Sequence, residues 1–453
     1  MTKTNSCLAF IDDQKLSLYT LLCVGFCLKF IIVLFYNHPQ MGDAITYDLA
    51  AQNILSYGKY EINGHVITHY PPLYSLFLSF LYLPFGHNLW IVKFTHCFLG
   101  TISCFFSYKI SRIFLSHKAS LLSTVLVTFN PLFLMLPARL LSENLALPLF
   151  FIFFFMLIQS NSYPIKMRRS LALGFLFGII LLVRSIAIAF IPFILIYSIW
   201  YKFSLLEFFY SIRSLLFFFL GFFLALSPWI ARNYSEFNEF IPLSTSSGIT
   251  LYSSYDFKIL GNLNSDYVSK IGGPGIVAKM SRTETDSALK KLSMQYILQH
   301  LEDIPSLTLK KFWYFWSPFD WDILSPDGQA RNPGFNYVLF FIMPFFLYGL
   351  ALLLFKSSAL EISVKSTFIL LFPILLMISI ALIFLGLSRF RMFIEPLITI
   401  VSVFGLLKFR NLNIFNHTKK YYYAIVSCWF ISGLTLFVCI VPLLNFYRRF
   451  FKE

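Results

Sequence analysis

The chain has 453 residues, of which 58% are hydrophobic and 13% charged, with a mean hydropathy of +0.72. An ordinary soluble domain carries about 25% charged residues, so this composition excludes a water-surrounded globule and makes the bilayer the main solvent. The net charge of +15 does not point to nucleic acid, because the Lys and Arg residues are scattered through short loops rather than gathered in one basic domain.

Crossing about 30 Å of hydrocarbon takes a helix of roughly 20 apolar residues, which satisfies its own backbone hydrogen bonds there. The first apolar run, Leu18 to Tyr36, is too long for the apolar part of a signal peptide, and no small-residue cleavage site follows it, so a retained first helix is predicted. Further spans are predicted near 88–112, 119–136, 145–159, 170–183, 186–201, 214–229, 335–355, 366–386, 392–407 and 421–445. The total is about eleven, and the fold class is an all-α, multi-pass transmembrane helical bundle.

Orientation follows from Arg112, His117 and Lys118; Lys166, Arg168 and Arg169; Lys202 and Arg213; Lys356 and Lys365; and Lys408, Arg410, Lys419 and Lys420. These groups fall in alternate short loops, which the positive-inside bias assigns to the cytoplasm. The N-terminus is then cytoplasmic, and the long polar segments 37–87 and 230–334 lie on the far side, the periplasm of a bacterial inner membrane. The tail Arg448-Arg449-Phe450-Phe451-Lys452 runs against that bias if 421–445 is a single span.

The chain thus divides into an N-terminal transmembrane module, 1–229, which carries the first far-side loop; a far-side loop, 230–334; and C-terminal transmembrane helices, 335–453. In the first loop, Pro71-Pro72 fits a helix start, and the apolar stretch that follows is too short to cross, which predicts an interfacial or re-entrant helix. In the second loop, Gly272-Gly273-Pro274-Gly275 precedes Thr283–Leu301, whose apolar spacing suits an amphipathic helix lying on the bundle as a lid. Cys23, Cys27, Cys97, Cys104, Cys428 and Cys439 fall within apolar runs and form no CxxC pair, which argues against disulfides and structural zinc.

Polar residues that could carry chemistry cluster at the far side. Asp43, in Met41-Gly42-Asp43-Ala44-Ile45-Thr46-Tyr47-Asp48, is the first carboxylate after the first span. Partial burial there would raise its pKa and let it take a proton from an attacking hydroxyl; a helix cap or a solvated loop acid is the plainer reading. His69, Tyr70 and Tyr74 flank the Pro-Pro helix start, and a helix N-terminus favours anions such as phosphate. Arg139 and Glu143 are four residues apart, either neutralising one another or orienting a substrate or a metal. Arg184 interrupts an apolar hairpin, either snorkelling to headgroups or facing the same site. Arg232 follows Trp229 in Ser227-Pro228-Trp229-Ile230-Ala231-Arg232-Asn233-Tyr234, and a planar guanidinium suits bidentate grip of a phosphate. Arg389 and Arg391 precede Glu395-Pro396 and break the positive-inside pattern, which favours function over anchoring.

At Asp43, Tyr47 and Ala50-Ala51, His69-Tyr70-Pro71-Pro72-Leu73-Tyr74, Ser142-Glu143, Pro228 to Tyr234 and Arg389-Phe390-Arg391 the chain resembles the GT-C superfamily. The branch is that of the protein O-mannosyltransferases and the aminoarabinose transferases acting on lipid A, and the resemblance spans roughly residues 18–410. It implies a polyprenyl-phosphate-linked sugar as donor and inverting transfer to a hydroxyl acceptor. Asp43 and Glu143 would be catalytic, with Asp43 the general base. His69, Arg184, Arg232, Arg389 and Arg391 would bind the donor phosphate, and Tyr47, Asp48, Tyr70, Tyr74 and Trp229 would shape the substrate site.

The sequence departs from the O-mannosyltransferases in having Ala44 after Asp43 and no inserted lumenal domain, and from the aminoarabinose transferases in having little after the last span. A cell-envelope lipid or glycan is therefore expected as acceptor ahead of a protein. No metal or other cofactor is expected, since the spacing of Asp43, Asp48, Glu143 and His69 matches no dedicated motif. The alternatives are a transporter or flippase of a lipid-linked sugar, which would call for paired repeats, and an oligosaccharide polymerase or ligase resting mainly on arginines.

Overall fold

The computed structural model describes residues 2–36, 40, 42–62, 64–159, 166–199, 205–255, 282–320, 334–355 and 363–410. The chain opens with helix α1 (Thr2–Phe35), then α2 (Asp43–Tyr57), a two-stranded hairpin of β1 (Glu61–Ile62) and β2 (His65–Val66), and α3 (Leu73–Phe85). Helices α4 (Leu89–Phe114), α5 (His117–Thr128), α6 (Pro131–Met135), α7 (Glu143–Ile158), α8 (Met167–Val183), α9 (Ile191–Ile199) and α10 (Leu205–Phe237) build the first bundle. The second polar segment contributes α11 (Ser247–Tyr255), α12 (Arg282–Gln299) and α13 (Ile304–Trp316), with strands β3 (Phe319–Asp320) and β4 (Gly334–Phe335) closing it. Helices α14 (Tyr337–Phe355), α15 (Val364–Ile383), α16 (Ser388–Arg391) and α17 (Glu395–Arg410) follow.

Among the described residues, α1 from Gln14, α4, α10 from Phe209, α14 and α15 are long and apolar enough to cross a membrane, which makes a multi-pass membrane protein. The five fall short of the expected eleven for identifiable reasons. The run 119–136 is cut at Asn130-Pro131: Asn130 caps a new helix by accepting from Leu132 N (3.0 Å), and α5 and the following turn meet at a 57° bend. The runs near 145–159, 170–183 and 392–407 form helices of 16, 17 and 16 residues. The run 186–201 begins as a 3-10 turn, Ser185–Phe190, before α9. The expected span 421–445, the tail at 448–452 and the 272–275 glycines lie outside the described residues.

Lipid is as apolar as leucine, so association of spans rests on close packing rather than on hydrophobic burial. The crossing of α8 and α10 shows it. A Cβ at Gly174 would lie 1.8 Å from the Phe218 carbonyl oxygen, and one at Gly221 2.1 Å from that of Leu171, so neither position tolerates a side chain. Phenylalanines fill the space elsewhere: Phe150 packs on Phe190 with ring centroids 4.5 Å apart and on Phe393 at 5.1 Å, tying α7 to the segment that carries Arg389. The apolar stretch after Pro71-Pro72 forms the 13-residue α3, and the polar run of the second segment forms α12.

Candidate functional site

Helix α2 starts at Asp43 because Gly42, with φ 55° and ψ −121°, lets the backbone turn in a region closed to other residues. One face of α2, Ala44, Tyr47 and Ala51, is buried in the bundle core. Asp43 and Tyr47, one turn apart, share that side of the helix. Asp48 is five residues from Asp43, about 140° round the helix, and points elsewhere. It accepts from Tyr82 and from Gln52 Nε2 (3.0 Å), and His87 Nε2 lies 3.0 Å from both its oxygens. Asp48 is therefore separated from Asp43 and committed to a second cluster.

The Asp43 carboxylate accepts from the Tyr70 hydroxyl at 2.6 Å and from Arg389 Nη1 at 3.4 Å, across 346 positions of sequence. Its side chain remains 27% exposed. Burial raises its pKa, as expected from the sequence, but Arg389, the Tyr70 hydroxyl and Arg184 outweigh burial and hold it below the usual carboxylate value. The expected raised carboxyl is thus corrected: Asp43 is anionic at neutral pH. Burial and the neighbouring carboxylate raise Tyr70, which keeps the phenol as the proton donor in that bond.

A second ion pair adjoins the first. Glu143 opens α7, and the preceding turn is pinned by Asn144 Nδ2, which donates to the carbonyls of Arg139 (3.0 Å) and Leu141 (3.1 Å). Arg184 lies in extended backbone between α8 and the 3-10 turn, where its Nη2 meets Glu143 Oε1 at 2.9 Å and its Nη1 donates to Ser142 Oγ at 3.0 Å. Ser142 in turn accepts from the Tyr47 hydroxyl at 3.4 Å. The Phe390 ring carries both guanidinia, Arg184 at 5.6 Å and Arg389 at 5.7 Å from its centroid. Asp43, Tyr70, Tyr47, Ser142, Arg184, Glu143, Phe390 and Arg389 therefore form one connected group, with two carboxylates balanced by two guanidinia. The His69 ring packs against Tyr70 at a tilt of 55°, with centroids 4.4 Å apart.

Other expected site residues have partners outside that group. Arg232 donates from Nη1 to the Ile67 carbonyl (3.1 Å) and Asn233 Oδ1 (2.9 Å) and from Nη2 to the Tyr60 carbonyl (3.2 Å), and it lies over the Trp229 ring at 4.9 Å. Trp229 Nε1 donates to the Leu243 carbonyl at 2.7 Å, and Thr245 N donates to the Thr68 carbonyl at 3.0 Å. Arg232 and Trp229 thus clamp the two polar segments together, and backbone carbonyls occupy donors expected to grip phosphate. Arg391 is fully buried: its Nε donates to Glu395 Oε1 at 2.8 Å and its Nη1 to the Phe315 carbonyl. It is enclosed rather than presented to a ligand. Tyr74, also fully buried, bonds through its hydroxyl to His96 Nε2 (3.2 Å) inside the bundle. Among the described residues no three His, Cys, Asp or Glu side chains gather at one place.

Sequence reasoning passed over Lys311. This residue is 2% exposed on α13 and donates to the carbonyls of Leu382 (3.2 Å) and Ile383 (3.3 Å), just before the Arg389 segment. Its only signal was a lysine pair, Lys310-Lys311, directly before the aromatic run Phe312-Trp313-Tyr314-Phe315-Trp316.

Residues 69–231 match the family model described as dolichyl-phosphate-mannose-protein mannosyltransferase. No curated protein sequence matches the chain. Among solved structures, the archaeal oligosaccharyltransferase AglB from Archaeoglobus fulgidus, in complex with an inhibitory peptide and a dolichol-phosphate, is 14% identical with a TM-score of 0.51, over 94% of this chain and 56% of that one. The Archaeoglobus fulgidus oligosaccharyltransferase in complex with Zn and sulfate gives 14% and 0.50, over 94% and 52%. ArnT from Cupriavidus metallidurans bound to undecaprenyl phosphate is 10% identical with a TM-score of 0.43, over 89% of this chain and 84% of that one, too low to add to the fold assignment. The chain spans about half the length of the archaeal enzyme it matches. The matches show the GT-C membrane fold.

Proposed function

We propose, with the GT-C membrane fold as premise, that this protein is an inverting glycosyltransferase that moves a sugar from a polyprenyl-phosphate donor to a hydroxyl acceptor. The observation that carries the reading is the Asp43 carboxylate held between the Tyr70 hydroxyl and Arg389, with Arg184 across the Phe390 ring. A base stands beside two guanidinia suited to a departing phosphate. The likeness to AglB, whose structure holds a dolichol-phosphate, and the mannosyltransferase match over 69–231 support a lipid-phosphate donor.

In the proposed reaction the acceptor oxygen forms a bond to the anomeric carbon while the bond from that carbon to the phosphate oxygen breaks. Asp43 takes the acceptor proton, and polyprenyl phosphate leaves with the electron pair. Arg389 and Arg184 hold the leaving phosphate, and Tyr70 orients the carboxylate. The donor phosphate has to draw Arg389 from Asp43, which removes the charge that depresses the carboxyl and strengthens the base at the moment it is used. Glu143 keeps Arg184 in place. The proposed side is the periplasmic one and the proposed acceptor a cell-envelope lipid or glycan. The deciding experiment is transfer of labelled sugar from a panel of polyprenyl-phosphate sugars to envelope acceptors, comparing wild type with Asp43→Asn. Transfer by wild type alone supports the reading, and equal transfer by both removes Asp43 as base.

A further inference from the structure

We propose that Lys311 is a positioning residue that sets Arg389 against Asp43 by fastening the backbone between α15 and α17 to α13. The fastening has three points. Lys311 Nζ donates to the carbonyls of Leu382 and Ile383, which end α15 and have no partner within their own helix. Gly386 lies flat on the same turn of α13: a Cβ there would be 2.1 Å from the Lys311 carbonyl oxygen. Arg391 donates to the carbonyl of Phe315, one helical turn beyond Lys311 on the same side of α13.

Arg389 sits inside this fastened stretch, between Gly386 and Arg391. Its own distance to Asp43, 3.4 Å, is long for a charge-assisted bond, so small backbone movements decide whether the pair forms. The ammonium is not a surface charge that happens to lie near two carbonyls. It is 2% exposed and stands 3.7 Å from the centroid of the Tyr255 ring at the end of α11. The start of α11 is held by Asp286 of α12, which accepts from Gly248 N and Ser247 Oγ. The second polar segment therefore reaches Arg389 through Tyr255, Lys311 and the end of α15. Burial pushes the Lys311 ammonium down to about 8, in keeping with an enclosed amine whose partners are carbonyls and a ring.

The inference rests on the proposed function only in taking Arg389 as the group set against the base, and its test needs no sugar. Infrared difference titration of the full-length protein in lipid nanodiscs, with the Asp43→Asn spectrum subtracted, reads the protonation midpoint of the Asp43 carboxyl. In wild type the midpoint lies below the usual carboxylate value. Lys311→Met keeps the stem but removes the ammonium, and is expected to raise the midpoint by about one pH unit as Arg389 moves off; Lys311→Arg restores it. Gly386→Ala, which pushes the same backbone from α13 by its Cβ, moves the midpoint in the same direction and carries the test should Lys311→Met not fold. A folded Lys311→Met or Gly386→Ala with the wild-type midpoint overturns the proposal. A shifted midpoint in Lys311→Met, beside a wild-type protein that transfers sugar from none of the polyprenyl-phosphate donors, leaves the positioning intact and removes the glycosyltransferase reading instead.

Discussion

Arg389 and Arg391 are two residues apart, and each meets a carboxylate, yet the two pairs belong to different kinds of structure. The Arg389 and Asp43 side chains are 13% and 27% exposed and join helices 346 positions apart. The Arg391 and Glu395 side chains are both 0% exposed and stand four positions apart, at the end of α16 and the start of α17. In the proposed reaction the first pair exchanges its partner for the donor phosphate; the second is enclosed among the described residues. On the proposed function a cationic motif divides into a working charge and a building charge, and exposure together with the span of the pair separates the two. Asp43→Asn breaks the comparison most strongly. It removes the proposed base but keeps its hydrogen-bonding shape, so transfer is expected to fall about 10²–10⁴-fold with donor binding retained, as checked by initial rates beside donor-binding titration.

The buried pair answers to a different measurement. Arg391→Met strands Glu395 and the Phe315 carbonyl, with an expected loss of about 3–5 kcal/mol of stability, read as a lower melting temperature in detergent or as failure to express. Replacing both charges, Arg391→Met with Glu395→Leu, removes the stranded carboxylate and recovers most of that loss. The equivalent double change at Asp43 and Arg389 recovers no transfer. If the double change at 391 and 395 abolishes transfer in a stable protein, the division between the two arginines is wrong.

How much of this could be read from the sequence follows the same line. The membrane bundle was legible because hydropathy is a property of single runs, but Asn130-Pro131, a helix start inside an apolar run, was read as continuous helix. Asp43, Tyr70 and Arg389 were singled out, and the structure brings them together; Arg232 and Arg391 were singled out for the same chemistry, and it does not. Nothing in a guanidinium's own sequence shows whether carbonyls such as those of Ile67, Tyr60 and Phe315 already fill its donors. The pairing of Glu143 with Arg184 rather than within its own helix turn had no local signal either, because Arg184 arrives from the far end of α8. Lys311 was passed over for the opposite reason, since a lysine beside aromatic residues reads as a snorkelling surface group.

Arg389→Gln sharpens the comparison from the working side. The Asp43 carboxyl is lowered in the folded protein, so it is ionised over the neutral range and loses its charge only as pH falls through its depressed value. Removing the guanidinium leaves burial opposed only by Tyr70 and Arg184, and the acid limb of the kcat/KM profile is expected to move up by about one to two pH units. The rate at the plateau falls as well, by about 10–10²-fold, for loss of a phosphate contact. An acid limb that stays where it is in Arg389→Gln separates that limb from Asp43.

The smallest effects are expected at residues whose polar atoms already have partners within the protein. Arg232→Ala frees the Ile67 and Tyr60 carbonyls to water and loosens the approach of the first polar segment, with transfer falling a few-fold by way of a mobile Tyr70, and with donor affinity nearly unchanged. A large loss of donor affinity would return Arg232 to the phosphate. Asp48→Asn lies at the bottom of the order. Its partner His87 is 45% exposed, and such a half-solvated pair contributes about 0–1 kcal/mol. Because Asp48 stands about 140° round α2 from Asp43, its loss is expected to leave kcat and the acid limb at wild-type values. Two aspartates of one helix, five residues apart, then give the widest contrast in the protein, and that contrast follows from helical pitch alone.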